Sequence, residues 1–237
     1  MDQSTLIILT EPGFLPGLED VIERVNSPSK PQIKTAETLE EIKTAVANST
    51  GPSRLVAFCT GVIIPKSVLN ALSSEAYNFH PGPPGYPGLF PSCFAIYDGA
   101  DVFGATAHHM TEHLDGGEIV GTEVASLMPW ADRLAADTLA FECVTKLFAR
   151  LAPDLLNLEA PLAPSSEAWS GRARTRKDFE ELCQLPHELS EEEFQKRYRA
   201  VGEGPDHALT LTLFGHRFKL DNNRGQETVV RGGKNQR

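Results

Sequence analysis

The sequence predicts an α/β fold in which a mostly parallel β-sheet carries helices on both faces. Short apolar runs alternate with segments of helical periodicity along the first half of the chain, and this alternation is typical of parallel sheets. The run RLVAFCT at residues 54–60 is apolar almost throughout, which predicts a strand covered on both faces. These two observations together indicate a Rossmann-like sheet.

The first half of the chain supplies four predicted strands and three predicted helices. The strands are apolar or β-branched runs that end at breakers such as Pro12 and Gly13, and they lie at residues 4–10, 32–35, 54–60 and 76–79. Apolar residues at helical spacing predict a helix over residues 18–25. A second helix follows Thr38, where Glu41 completes a capping box, and a short third one opens at Pro65.

The second half of the chain predicts two more strands, two more helices and an appended unit. Residues 102–110 and 118–127 are predicted strands, whereas residues 92–98 and 131–149 are predicted helices. We expect a catalytic domain over residues 1–158 and a linker rich in Pro, Ser and Ala over residues 159–171. The expected C-terminal extension, residues 172–237, contains two short helices, the hairpin pattern HALTLTLFGHRFKLD at residues 207–221 and a loosely held polar tail.

Composition excludes several classes of function. The formal net charge of −10 argues against nonspecific binding to nucleic acid or to a membrane surface. We find no apolar run of about 18 residues and no signal-peptide pattern. The four cysteines form no CxxC pair, which predicts scattered reduced thiols and a cytoplasmic location.

The stretch YNFHPGPPGYPGLF at residues 77–90 is rich in proline and glycine, so neither a helix nor a strand can continue through it. Asn78 and His80 lie at the end of the preceding strand, and alternate residues of a strand point to the same face. An amide donor beside an imidazole can stabilise an oxyanion and move a proton, which are the two requirements of acyl transfer. The alternative is a surface loop with an ordinary asparagine and histidine.

A second polar segment, GATAHHMTEHLDGGEIV at residues 104–120, contributes Asp115. A carboxylate at the tip of this turn could orient His80 and favour its imidazolium form, although an Asp-Gly turn alone would also explain it. His109 and His113 are four residues apart, which would suit zinc on a helix. Residues 104–110 are a predicted strand, where that spacing does not converge, so we expect no metal.

The two segments together resemble the N10-formyltetrahydrofolate-dependent formyltransferases, which include the glycinamide ribonucleotide, methionyl-tRNA and sugar N-formyltransferases. The family has an Asn-x-His-Pro loop and a Gly-x-Thr-x-His segment whose aspartate follows seven residues after the histidine, as Asp115 follows His108 here. FCTGVIIPKSVLN at residues 58–70 resembles the family segment that contacts the pterin ring.

The resemblance implies a role for each part of these segments. Asn78 and His80 would stabilise the oxyanion formed when a substrate amine attacks the formyl group of N10-formyltetrahydrofolate, and Asp115 would hold His80 and relay a proton. The implied folate contacts are Val62, Ile63, Ile64, His108, Thr111, Glu112, His113 and Leu114. In the proline-rich loop, we expect Pro81, Gly82 and Tyr86 to bind the acceptor substrate.

The C-terminal third of the chain looks most like the tails of sugar N-formyltransferases. We therefore expect a GDP- or dTDP-linked 4-amino-4,6-dideoxy sugar as the acceptor, used for bacterial surface polysaccharide such as the O-antigen of lipopolysaccharide. The hairpin could supply the edge of a homodimer. Many family members have an arginine near the position of Gly88, and its absence here argues against the methionyl-tRNA branch. The alternatives are another amine formyltransferase, a formyltetrahydrofolate hydrolase and a noncatalytic folate- or nucleotide-binding module.

Overall fold

The computed structural model describes residues 3–27, 30–202 and 207–220. The main sheet has six strands: β1 (Thr5–Leu9), β2 (Gln32–Ala36), β3 (Ser53–Phe58), β4 (Tyr77–His80), β5 (Val102–His109) and β6 (Ile119–Ser126). They lie side by side in the order β2-β1-β3-β4-β5-β6. The first four are parallel, whereas β5 runs antiparallel to β4, and β6 antiparallel to β5. The predicted mostly parallel sheet is confirmed.

Helices cover both faces of the sheet, as predicted. The first five are α1 (Leu15–Arg24), α2 (Leu39–Ala47), α3 (Lys66–Leu69), α4 (Pro91–Asp98) and α5 (Arg133–Leu156). Alternate residues of β1 divide between two apolar clusters: Leu6 and Ile8 pack with Phe148 of α5, and Ile7 packs with Ile42 of α2. The predicted capping box of Thr38 and Glu41 is present at the start of α2.

Helix α5 extends beyond its predicted end at residue 149 and continues through Pro153 to Leu156. Its last turn is stabilised by Arg54 of β3, whose side chain is fully buried. The guanidinium donates hydrogen bonds of 2.7–3.1 Å to four backbone carbonyls, those of Asp154, Leu155, Asn157 and Ala160. A cation at the C-terminal end of a helix satisfies carbonyls that have no partner within the helix. No described helix is long and apolar enough to cross a membrane.

The C-terminal extension contains the two predicted helices, α6 (Arg176–Cys183) and α7 (Glu191–Val201), and a three-stranded sheet. Its strands are β7 (Gln184–Leu185), β8 (Thr210–Leu213) and β9 (His216–Lys219). The predicted hairpin is present as β8 and β9, and it turns at Phe214 and Gly215, both with positive φ. The two-residue strand β7 is too short to show a pattern and was missed. The predicted polar tail lies outside the described residues.

All four cysteines are free, as their spacing predicted. Cys93, Cys143 and Cys183 are buried, and Cys59 is half-buried. Burial raises the pKa of Cys59 and of Cys93 to about 12 and the pKa of Cys183 to about 11. The pKa of Cys143 is raised as well, also by burial. The thiols therefore stay protonated at neutral pH and react slowly.

Candidate active site

Four polar side chains meet at strand β4. Asn78 and His80 lie on one face of β4, and His108 of β5 lies directly across from Asn78 in the antiparallel pair. The turn after β5 places Asp115 among them. One oxygen of Asp115 lies 3.2 Å from His108 Nε2 and 3.4 Å from Asn78 Nδ2. The other lies 3.4 Å from His80 Nδ1 and accepts a 2.7 Å hydrogen bond from the backbone N–H of Gly88.

The other nitrogen of each histidine contacts a backbone carbonyl. Nε2 of His80 lies 2.9 Å from the carbonyl oxygen of Tyr86, and Nδ1 of His108 lies 2.9 Å from that of His109. Because a carbonyl oxygen only accepts hydrogen bonds, both of these nitrogens carry hydrogen. A neutral His80 then turns its unprotonated Nδ1 toward Asp115. A proton taken up by His80 would lie against the carboxylate, so the cluster is arranged to accept a proton.

The electrostatics of the cluster favour its proton-accepting form. Burial lowers the pKa of His80 by more than the negative charge of Asp115 raises it. Burial acts to raise the pKa of Asp115, but the hydrogen bond from His108 and the neighbouring histidines outweigh it, so this pKa is lowered. The expectation that Asp115 makes His80 an imidazolium is therefore wrong, because the histidine is only 5% exposed and burial disfavours its charged form.

A cavity of about 320 Å³ opens beside the cluster and is lined by Asn78, His80, His108 and Asp115. Its other walls are formed by residues 59–64, 88–91 and 110–114. Three non-glycine residues with positive φ, Cys59, Phe90 and Asp115, all line it. Left-handed backbone at non-glycine residues is uncommon and concentrates at functional sites.

The segment predicted to be a linker lies against β4 and the proline-rich loop. We call residues 159–175 the strap. The backbone N–H of Leu162 donates a 2.8 Å hydrogen bond to the hydroxyl of Tyr77 in β4. Farther along, Arg174 exchanges two 2.9 Å backbone hydrogen bonds with the proline-rich loop, from its N–H to Pro87 and from the N–H of Leu89 to its carbonyl. The strap is therefore hydrogen-bonded both to β4 and to the proline-rich loop.

Comparison with known proteins matches residues 21–137 to the model of the formyl transferase family. This segment of the chain is similar to that family. A methionyl-tRNA formyltransferase of Listeria monocytogenes serotype 4a (strain HCC23) is 30% identical over 150 residues, which are 63% of this chain and 45% of that protein. The chain thus spans less than half the length of the curated relatives it matches.

Solved structures with the same fold include two formyltransferases. A sugar N-formyltransferase from Shewanella sp. FDAARGOS_354 superposes with a TM-score of 0.69 at 19% identity, covering 93% of this chain and 97% of that one. The formyltransferase PseJ from Anoxybacillus kamchatkensis, in complex with UDP-4,6-dideoxy-4-formamido-L-AltNAc and tetrahydrofolate, superposes with a TM-score of 0.58 at 18% identity. The superposition covers 75% of this chain and 88% of PseJ.

The cavity brings together most of the residues that the sequence nominated. Besides the cluster itself, its lining includes the predicted folate contacts Val62, Ile63, Ile64, Thr111, Glu112, His113 and Leu114, and the predicted acceptor contact Pro81. Among the described residues, no group of three or more His, Cys, Asp and Glu side chains could hold a metal ion.

Two predicted acceptor contacts, Gly82 and Tyr86, are not in the cavity lining. Gly82 is buried against His80, and a Cβ added to it would overlap Nε2 of that ring. The carbonyl of Tyr86 holds His80, and its ring packs edge-on at 6.2 Å from Phe103. Both residues therefore support His80 from behind, because the loop turns back onto β4 instead of extending over the cavity.

Sequence reasoning missed two residues that contact the cluster, Gly88 and Trp169. Gly88 has φ of +90° and presents its N–H to Asp115. Trp169 of the strap lies edge-on to both His80 and His108. The position of Gly88 in a loop rich in proline was a signal that its backbone could have a structural role. No local pattern signals Trp169, because its contacts are with residues more than 50 positions earlier.

Proposed function

We propose that the protein transfers the formyl group of N10-formyltetrahydrofolate to the amino group of a nucleotide-linked 4-amino-4,6-dideoxy sugar. One observation carries the formyl-transfer part of the proposal. Asn78, His80 and Asp115 meet at a cavity, and two of its other three walls, residues 59–64 and 110–114, contain the segments that the family resemblance assigned to the pterin ring. The same sequence segments therefore nominate the reacting groups and the folate site.

The cluster can perform each step that formyl transfer requires. The amine nitrogen attacks the formyl carbon, and the amide N–H group of Asn78 at the cavity stabilises the developing oxyanion. The proton lost by the amine is taken up between Nδ1 of His80 and the carboxylate of Asp115. As the bond from the formyl carbon to N10 breaks, the same proton passes to N10, so the cluster returns to its starting state.

The fold and the net charge of the chain favour a nucleotide sugar as the acceptor. The fold matches a sugar N-formyltransferase over almost its whole length, and PseJ was solved with a formylated nucleotide sugar. The net charge of −10 is unfavourable for binding a tRNA. A product of this kind would serve surface polysaccharide synthesis. The exposed hairpin residues Phe214 and Phe218, 99% and 55% exposed, would suit a homodimer edge.

Formylation of methionyl-tRNA is the second candidate. It is favoured by one observation, the 30% identity over 150 residues to the Listeria enzyme. That match covers less than half of the tRNA enzyme, so the acceptor-binding part of that protein need not have a counterpart here.

A panel assay tests the proposal. The protein is mixed with N10-formyltetrahydrofolate and, in separate reactions, with GDP- and dTDP-linked 4-amino-4,6-dideoxyhexoses, glycinamide ribonucleotide, methionyl initiator tRNA or no acceptor, and tetrahydrofolate release is followed. We expect release with a nucleotide amino sugar and its loss in His80→Ala. Release of tetrahydrofolate with methionyl initiator tRNA, and with none of the other acceptors, would support the second candidate. Equal release without any acceptor would identify a hydrolase, and no release in any reaction would contradict formyl transfer.

A further inference from the structure

Trp169 of the strap is hydrogen-bonded to the turn that carries Asp115. Its indole N–H donates a 2.8 Å hydrogen bond to the carbonyl oxygen of Gly117, two residues after Asp115 in the turn. Next to it, the backbone N–H of Ser170 donates a 3.1 Å hydrogen bond to the carbonyl of Pro84 in the proline-rich loop. The indole is therefore bound to the turn that carries Asp115, and the backbone next to it is bound to the proline-rich loop.

The indole also touches both histidines of the cluster. Its ring centroid lies 5.2 Å from that of His108, with an interplanar angle of 80°, and 6.0 Å from that of His80, with an angle of 70°. Edge-to-face contacts at these distances are favourable and orient the rings. No other described aromatic side chain has ring contacts with both histidines.

Trp169 does not line the cavity beside the cluster, whereas both histidines do. It therefore contacts the imidazoles from outside the cavity. The titratable groups that face His80 are Asp115 and His108. The proline-rich loop presents only the carbonyl of Tyr86 to this ring, and the strap presents the uncharged indole. Without the indole, water would reach the outer side of the cluster.

We propose that Trp169 is a positioning residue of the formyl-transfer site, which fixes His80 and His108 and keeps water from their outer side. This inference rests on the proposed function. Its chemical consequence is a preference for the amine over water. When water attacks instead, its oxygen forms a bond to the formyl carbon, the bond from that carbon to N10 breaks, a proton from the water passes to N10, and formate and tetrahydrofolate are released. An amine acceptor remains unmodified in that reaction.

The test compares Trp169→Ala with Trp169→Phe, which keeps an aromatic ring but removes the N–H donor. Trp130 is the second tryptophan of the chain, is 76% exposed and does not line the cavity. Trp130→Ala is therefore the matched control. We expect Trp169→Ala to lower kcat for transfer by about tenfold, since small misplacements of reacting groups are costly. The KM for the folate should change by less than about threefold, and Trp169→Phe should recover most of the rate.

Two further readouts separate positioning from a general loss of structure. In Trp169→Ala the ratio of formate release to transfer should rise, and the acidic limb of the kcat/KM profile should move to higher pH. The shift has this sign because burial lowers the pKa of His80 and the added solvent raises it again. Trp130→Ala should change neither. Unchanged kcat, formate ratio and pH profile in Trp169→Ala would overturn the inference.

The experiment distinguishes this inference from the proposed function. If the wild-type protein formylates no acceptor, NMR titration of the histidine rings still decides the role of Trp169. A rise in the midpoint of His80 in Trp169→Ala, absent in Trp130→Ala, supports it, and an unchanged midpoint refutes it. If Trp169→Ala does not fold, Trp169→Leu keeps apolar volume without the aromatic edge and is subjected to the same measurements.

Discussion

Gly88 provides the sharpest test of how the candidate site is held together. Its φ of +90° is unfavourable for any residue with a side chain. A Cβ added there would overlap the backbone nitrogen and oxygen of Arg174 in the strap. The Gly88 N–H is also one of the hydrogen-bond donors to Asp115. The change Gly88→Ala should therefore strain the loop, push the strap away and weaken the hold on Asp115.

The magnitude follows from these separate effects. Left-handed backbone costs about 1–2 kcal/mol for a residue with a Cβ, and a lost hydrogen bond to a charged group costs about 1.5–3 kcal/mol. We expect Gly88→Ala to lower the free energy of unfolding by about 3 kcal/mol or more. For a chain of this length, such a change corresponds to a fall in Tm of about 6–12 °C.

Gly99 offers a matched control within the same chain. It has φ of +73° at the C-terminal end of α4, and an added Cβ would meet nothing within 4 Å. Gly99→Ala should therefore cost only the backbone strain, about 1–2 kcal/mol. Urea unfolding followed by circular dichroism measures both variants. If Gly88→Ala is no less stable than Gly99→Ala, the strap does not press on Gly88 and the reasoning fails.

Four further changes test other parts of the structure. Asn78→Ala and His80→Ala should each lower kcat by about 10²-fold or more with the fold intact by circular dichroism; wild-type rates would remove these residues from the mechanism. Asp115→Asn should reduce activity comparably. Because the pKa of Asp115 is lowered in the folded protein, its contribution to stability is complete above about pH 4 and is lost as the pH falls further. The difference in urea stability between wild type and Asp115→Asn should therefore shrink on acidification, and a constant difference would contradict the lowered pKa. Arg54→Met leaves the carbonyls at the end of α5 without their donor and should cost about 3 kcal/mol in urea unfolding; a cost below about 1 kcal/mol would show that water replaces the guanidinium.

Most of the fold follows from local sequence, because burial on both faces and helix caps leave local patterns. The apolar run of β3 and the capping box at Thr38 are of this kind. The extent of α5 is not a local pattern. The helix continues past Pro153, and its last carbonyls accept hydrogen bonds from Arg54, about 100 residues earlier in the chain. The antiparallel direction of β5 likewise depends on long-range pairing with β4.

The same division applies to the candidate site. The two-residue periodicity of a strand already places Asn78 and His80 on one face. The position of His108 across from Asn78 requires the antiparallel register of β5, which the sequence does not show. Tyr86 was expected to face the acceptor, but its ring packs on Phe103, so burial of an aromatic side chain decided its direction. Loop residues of this kind carry no periodic signal.

The raised pKa values of all four thiols make the native protein a convenient background for site-selective labelling. Maleimide dyes react with thiolates, and burial keeps every native cysteine protonated at neutral pH. A cysteine introduced at the exposed Ser166 of the strap would therefore take up a fluorophore well before the others. Single-molecule fluorescence from that position would then follow the strap during turnover, and none of the four native cysteines would have to be replaced first.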